Sequence, residues 1–110
     1  MENGIKTSYD LDEGTIEHIL PENRDSHWSS QFSEEEHSNF IYSLGNLTLL
    51  EPIKNSKDAA RQPFNEKLKV YNTSRFAMTK DIKGSEWSVK MIKHRQAKLA
   101  KIAAGIWKIE

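Results

Sequence analysis

The sequence predicts an α+β fold, mostly helical, in which a two-stranded antiparallel hairpin and the helix after it form a small ββα unit packed against further helices. Three observations carry that expectation. Residues 15–20 (Thr-Ile-Glu-His-Ile-Leu) form a β-branched stretch that stops at Pro21. A second apolar stretch, Leu47-Thr48-Leu49-Leu50, follows Gly45-Asn46, and a polar, lysine-bearing segment opens at Asn55, nine residues after Asn46. The last quarter of the chain carries one long apolar stripe at helical spacing.

Each element has its own signal. Residues 1–8 are polar and patternless, as expected of a flexible N-terminal segment or linker remnant, so the folded domain is placed at residues 9–110. Gly14 marks the turn into the first strand. Residues 22–30 read as a loop anchored by Trp28. Ser33 and Glu36 have the spacing of a capping box, and the run Glu34-Glu35-Glu36 suits the positive end of a helix dipole. Phe40, Ile41 and Leu44 give that helix its expected buried side, and Gly45 ends it. A short helix is expected over 55–61, broken by Gln62-Pro63. Asn65 then caps a helix over 66–71 with Leu68 and Tyr71 on one face, and a further turn spans 75–82. Ser85 opens the longest helix, to Trp107, striped by Met91, Ile92, Leu99, Ile102, Ala103 and Ile106. Arg95 falls inside that stripe, where a charge demands a partner: a buried ion pair with an acidic residue, or a phosphate in the cleft.

Composition narrows the class. A chain of 110 residues suits one domain, and 36% apolar residues, with three Trp, four Phe and three Tyr, permit a small core closed by aromatics. The absence of cysteine removes disulfides and thiolate zinc sites and is compatible with a reducing cytoplasm. Neither an apolar run near the ~20 residues of a membrane span nor a secretory leader is visible. The net charge of zero conceals a division: residues 1–50 hold ten Asp/Glu against two Lys/Arg, a net −8, and residues 51–110 hold fourteen Lys/Arg against six Asp/Glu, a net +8. A basic half of this kind points to a polyanion, although a solvated lysine face is the plainer reading for much of it.

The polar ends of the ββα unit carry groups that suit phosphodiester hydrolysis, which needs an activated water and charge neutralisation at the phosphate. Histidine is a natural base near neutral pH, and His18 ends the first strand. The side-chain carbonyl of Asn46 is expected to accept the His18 ring N–H and aim the ring. Glu17 and Asn55 offer the hard oxygen donors that Mg²⁺ or Mn²⁺ prefers. Adjacent strand residues point to opposite faces, so Glu17 and His18 can share a centre only where the strand is ending or bulged. Singly, each residue has a plain explanation: a surface histidine, a turn, a helix cap. The ordered combination does not.

With Glu17-His18-Ile-Leu-Pro21, Leu44-Gly45-Asn46-Leu-Thr-Leu-Leu50, Asn55-Ser-Lys57, Pro63-Phe64, Tyr71-x-x-Ser74-x-Phe76 and a terminal Arg95…Leu99-Ala100…Ile106-Trp107 helix, residues 9–108 resemble the C-terminal HNH nuclease domain of GmrSD-type restriction enzymes. The resemblance implies a His-Me finger (ββα-metal) DNA endonuclease or nickase of a prokaryotic, cytoplasmic anti-phage restriction system. It implies an upstream ParB-like NTPase domain that senses modified DNA, such as glucosylated or phosphorothioate DNA. By position, His18 matches the general base, Asn46 the orienting residue, Asn55 the last motif position and Glu17 the acidic metal ligand. Many HNH enzymes have His where this chain has Asn55, and Asp where it has Glu17. An amide is a weaker ligand, so metal affinity without DNA is expected to be low. DNA phosphates are expected to meet Lys54, Lys57 and Arg61 around the site and Lys90, Lys93 and Lys98 along the terminal helix. Two other readings of the same residues remain open: a non-catalytic DNA-binding or docking module, and an RNA nuclease.

Overall fold

The computed structural model describes residues 14–24, 26–55 and 60–107. The expected N-terminal segment, Lys57 and most of the helix expected over 55–61 lie outside them. Strand β1 (Thr15–His18) pairs antiparallel with β2 (Leu47–Leu50), Glu17 opposite Thr48 and His18 opposite Leu47. Five α-helices accompany this two-stranded sheet among the described residues: α1 (Ser26–Ser29), α2 (Glu34–Phe40), α3 (Phe64–Tyr71), α4 (Ala77–Lys80) and α5 (Val89–Trp107). The α+β expectation holds, with α1 and α2 inserted between the paired strands. The strand expected over 15–20 closes two residues early, and the loop expected over 22–30 contains α1, with Trp28 fully buried.

Local chemistry explains most boundaries. Ser33 caps α2 through the expected box: its hydroxyl accepts from Glu36 N at 3.1 Å, and the Glu36 carboxylate accepts from Ser33 N at 2.9 Å. Gly84, at φ 119°, turns the chain toward α5. That helix starts at Val89 rather than beside Ser85, and Ser88 accepts from Met91 N at 3.3 Å.

The core joins Ile19, Leu20, Trp28, Phe32, Ile41, Leu50, Phe64, Tyr71, Ile82, Trp87 and Ile92, with Phe64 stacked on Trp87 at 5.4 Å. Leu44 and Ile102, expected inside, are 51% and 52% exposed. Only the first half of α5 packs closely. It crosses a 3-10 turn (Leu44–Asn46) so tightly that a Cβ on Gly45 would stand 2.1 Å from the Ile92 carbonyl oxygen. Gly45 is therefore a contact point between helix and turn, beyond a simple helix terminator.

Arg95 secures the same crossing in a manner neither sequence alternative anticipated. Its guanidinium donates to the carbonyls of Gly45 (3.1 Å) and Leu47 (2.7 Å) and to the Thr48 hydroxyl (3.1 Å). Backbone carbonyls left open at the start of β2 take the place of a carboxylate or a phosphate. Burial lowers the Arg95 pKa from its ordinary value. At the far end of β2, Glu51 accepts from Ser74 Oγ and Arg75 N, both at 2.8 Å. Burial alone would raise its carboxyl, and these bonds bring it below the ordinary range.

Candidate active site

The end of β1 is where the chain departs from simple apolar patterning. Ile16 faces outward, 63% exposed, while Glu17 is buried at 3%. A carboxylate placed inside needs donors, and α3 supplies them. Lys67 Nζ donates to Glu17 Oε2 at 2.7 Å and to the His18 carbonyl at 3.0 Å, and Tyr71 Oη donates to the same Oε2 at 2.7 Å. Phe64, Lys67 and Tyr71 are the buried residues of α3. Sequence reasoning chose Leu68 and Tyr71 as its inner face and missed Lys67. The signal was available in the i, i+4 spacing of Lys67 and Tyr71, which puts a lysine on the buried face. Burial lowers the Lys67 pKa, against the pull of Glu17, and raises that of Tyr71 well above its usual value.

Asn46 is wholly buried and fully engaged. Its Oδ1 accepts from Leu20 N (2.8 Å) and Trp87 Nε1 (2.9 Å), and its Nδ2 donates to the carbonyls of Leu20 and Ile41, both at 3.0 Å. The described side-chain bonds of Asn46 thus go to the Leu20 backbone, the Ile41 carbonyl and Trp87, where the sequence reading expected one to the His18 ring. Asn46 instead holds the chain that follows His18: Ile19 N donates to Asn46 O at 2.9 Å, and the side chain grips Leu20. His37 completes the clamp by donating from Nε2 to the Pro21 carbonyl at 2.8 Å. The strand end is thus held from three sides, which fixes the backbone that carries His18 without burying its ring.

His18 itself is half-buried, edge-on to Tyr42 with ring centroids 5.8 Å apart. Tyr42 is 69% exposed and donates to Glu22 Oε2 at 3.1 Å, which raises its pKa. Asn55 returns to β1, its Nδ2 donating to Thr15 Oγ1 at 2.7 Å and Ile16 O at 3.3 Å. Ile16, Glu17, His18, Glu22, Asn55 and Arg61 all line one open cleft of about 370 Å³. Glu17 and His18, neighbours on a strand, do reach a common space at the point where β1 ends.

The donors available in this cleft decide what ion it suits. Both described bonds of Glu17 fall on Oε2, and no buried side-chain oxygen among the described residues lacks a partner, so Oε1 is the oxygen that solvent reaches. Asn55 spends its amide nitrogen on β1, which leaves Oδ1 as its second hard donor. Among the described residues no group of three or more His, Cys, Asp or Glu could hold a metal. Two oxygens suit a hard ion that keeps several waters and takes substrate phosphate as a ligand, which is the habit of Mg²⁺ and Mn²⁺.

The basic residues assigned to DNA divide sharply. Arg61 is exposed and lines the cleft. Lys54 does not line the cleft: it lies 3.7 Å from Glu51 and borders a separate small cavity shared with Glu17 and Lys67. The structure does not bring Lys90, Lys93 and Lys98 into the cleft: Lys93 lies over the Phe40 ring at 5.6 Å, Lys98 lies 3.9 Å from Asp81, and Lys90 is exposed on α5. No helix among the described residues is long and apolar enough to cross a membrane.

A family model described as the C-terminal domain of GmrSD restriction endonucleases matches residues 2–102. No curated protein and no solved structure matches the chain. With nearly the whole chain inside that model, the chain belongs to the family of GmrSD restriction endonuclease C-terminal domains.

Proposed function

We propose that this domain is a metal-dependent, HNH-type DNA endonuclease or nickase, the effector of a modification-sensing restriction system. The observation that carries the reading is the convergence of Glu17, His18, Asn55 and Arg61, from separate parts of the chain, on one open cleft beside a rigid strand end. Family membership supplies the substrate class, since a restriction endonuclease acts on DNA.

The chemistry follows from the side chains. His18 takes a proton from the attacking water, and its ring is steadied by Tyr42 and by the clamps on residues 18–21. Arg61 meets the phosphate with a fork of N–H donors. Glu17 Oε1 and Asn55 Oδ1 would hold the divalent ion. When bound, that ion stabilises the charge that builds on the phosphate and the departing oxygen. An upstream ParB-like domain, recognising glucosylated or phosphorothioate DNA, would decide which molecule is delivered to the cleft. Neither the modification nor that domain is needed for the hydrolysis step itself.

The test is cleavage of supercoiled plasmid by the purified chain in Mg²⁺ or Mn²⁺, beside an EDTA control and an RNA duplex of equal length. Relaxed or linear DNA that disappears in EDTA and returns with metal is expected. Metal-independent cleavage would overturn the metal assignment, and binding without cleavage would favour a non-catalytic module.

A further inference from the structure

Lys67 is the least expected side chain near the cleft. It is 2% exposed, yet it carries an ammonium whose described partners are Glu17 Oε2 and the His18 carbonyl. A buried ion pair of this kind is a poor source of stability, because an apolar pair of similar volume packs as well without the cost of desolvation. Its position bears on the chemistry. Glu17 lines the cleft, its Oε2 is neutralised by Lys67 and bonded by Tyr71, and its Oε1 has no described protein partner.

The charges make the consequence definite. Among the described residues, the charged side chains lining the cleft are Glu17, Glu22 and Arg61. With Lys67 behind Glu17 these described charges sum to zero, so together they offer an approaching divalent ion little net attraction. A phosphodiester in the cleft adds the missing negative charge and a further oxygen ligand.

We propose that Lys67 is a built-in counter-cation for Glu17, a positioning residue that fixes the Glu17–His18 strand end and makes capture of the divalent ion depend on nucleic-acid phosphate already in the cleft. This rests on the reading of Glu17 as a metal ligand given above. It goes further in assigning weak metal binding to a charge that can be removed, beyond the weakness of the Asn55 amide alone. The benefit is that the hydrolytic centre assembles on the substrate and not in its absence.

Direct Mn²⁺ binding, read from the loss of the free-ion electron paramagnetic resonance signal in the absence of DNA, tests it without relying on turnover. The wild type should bind at millimolar concentrations. Lys67→Gln keeps a donor toward Glu17 and the His18 carbonyl and removes the charge, and its Mn²⁺ affinity should tighten by about tenfold or more. Lys67→Met should do the same where it folds. Adding Glu17→Gln to Lys67→Gln should abolish the gain. A merely structural lysine predicts the opposite, since loosening the strand end can only weaken a site. Micromolar Mn²⁺ binding by the DNA-free wild type overturns the proposal whether or not the variants fold, and so does an unchanged or weaker affinity in folded Lys67→Gln. Plasmid cleavage scored in parallel separates the two readings. Loss of metal-dependent cleavage in the wild type strikes at the nuclease assignment, whereas intact cleavage with unaltered Lys67→Gln affinity strikes at Lys67 alone.

Discussion

Replacing Asn46 with alanine removes a side chain that satisfies four buried groups at once: Leu20 N, the Leu20 and Ile41 carbonyls, and Trp87 Nε1. Each group left without a partner costs about 1–3 kcal/mol. Water entering the vacated space recovers part of that, so the lower bound for each gives about 4 kcal/mol in total. Domains of this size have about 5–15 kcal/mol in all. With a urea m-value of about 2 kcal/mol/M, the unfolding midpoint should fall by roughly 2 M. Tryptophan fluorescence reports it directly, because Trp87 donates to Asn46 and Trp28 sits in the same core. Asn46→Asp should be no milder, since a carboxylate would face two carbonyls that need donors. A loss below about 1 kcal/mol at unchanged m-value, together with lost cleavage, would refute the reasoning. It would mean that Asn46 acts on the His18 ring after all, as the sequence alone had suggested.

Gly45→Ala places a Cβ 2.1 Å from the Ile92 carbonyl oxygen, so α5 must shift by about an ångström; we expect about 3 kcal/mol of destabilisation and a melting temperature roughly 10 °C lower. Melting close to the wild-type value would show that the helix crossing is looser than described. Arg95→Met strips three donors from the start of β2 and should cost about 2–3 kcal/mol while leaving DNA affinity intact. Wild-type stability, or selective loss of DNA binding, would contradict the structural role. Arg61→Ala should weaken duplex binding and reduce the slope of log affinity against log salt by about one, whereas Lys90→Ala, on the far helix, should leave that slope nearly unchanged. Equal effects from both positions would return the α5 lysines to the interface.

Much of this architecture can be read from particular residues. Pro21 falls just after β1 and Gly45 just before β2, and Ser33 with Glu36 announces α2 because capping chemistry is local. The candidate site was legible as an ordered set of short strings, since His18, Asn46 and Asn55 keep their order around one strand pair. What escaped was set by tertiary contact. The burial of Glu17 depends on which way β1 turns its pleat, and that is fixed by packing of Ile19 and Leu20 rather than by Ile16. Lys67 and Tyr71 become its partners only when α3 crosses behind the strand. The work of Asn46 and Arg95 was hidden for a related reason: both answer to backbone carbonyls, which no pattern of side chains reveals. The basic face of α5 was read correctly as exposed, but its distance from the cleft could not be known before the helix was placed.

The account turns on His18 as the base in the cleft, and a single-turnover comparison of wild type with His18→Ala tests it most directly. A short DNA duplex in Mn²⁺ serves as substrate, with melting temperature and duplex affinity measured on the same preparations. The predicted result is a cleavage rate lower by about 10²–10⁴-fold, with melting and affinity unchanged because the ring is half-buried and its described contact is with exposed Tyr42. A folded, duplex-binding His18→Ala protein that cleaves at the wild-type rate would contradict the account.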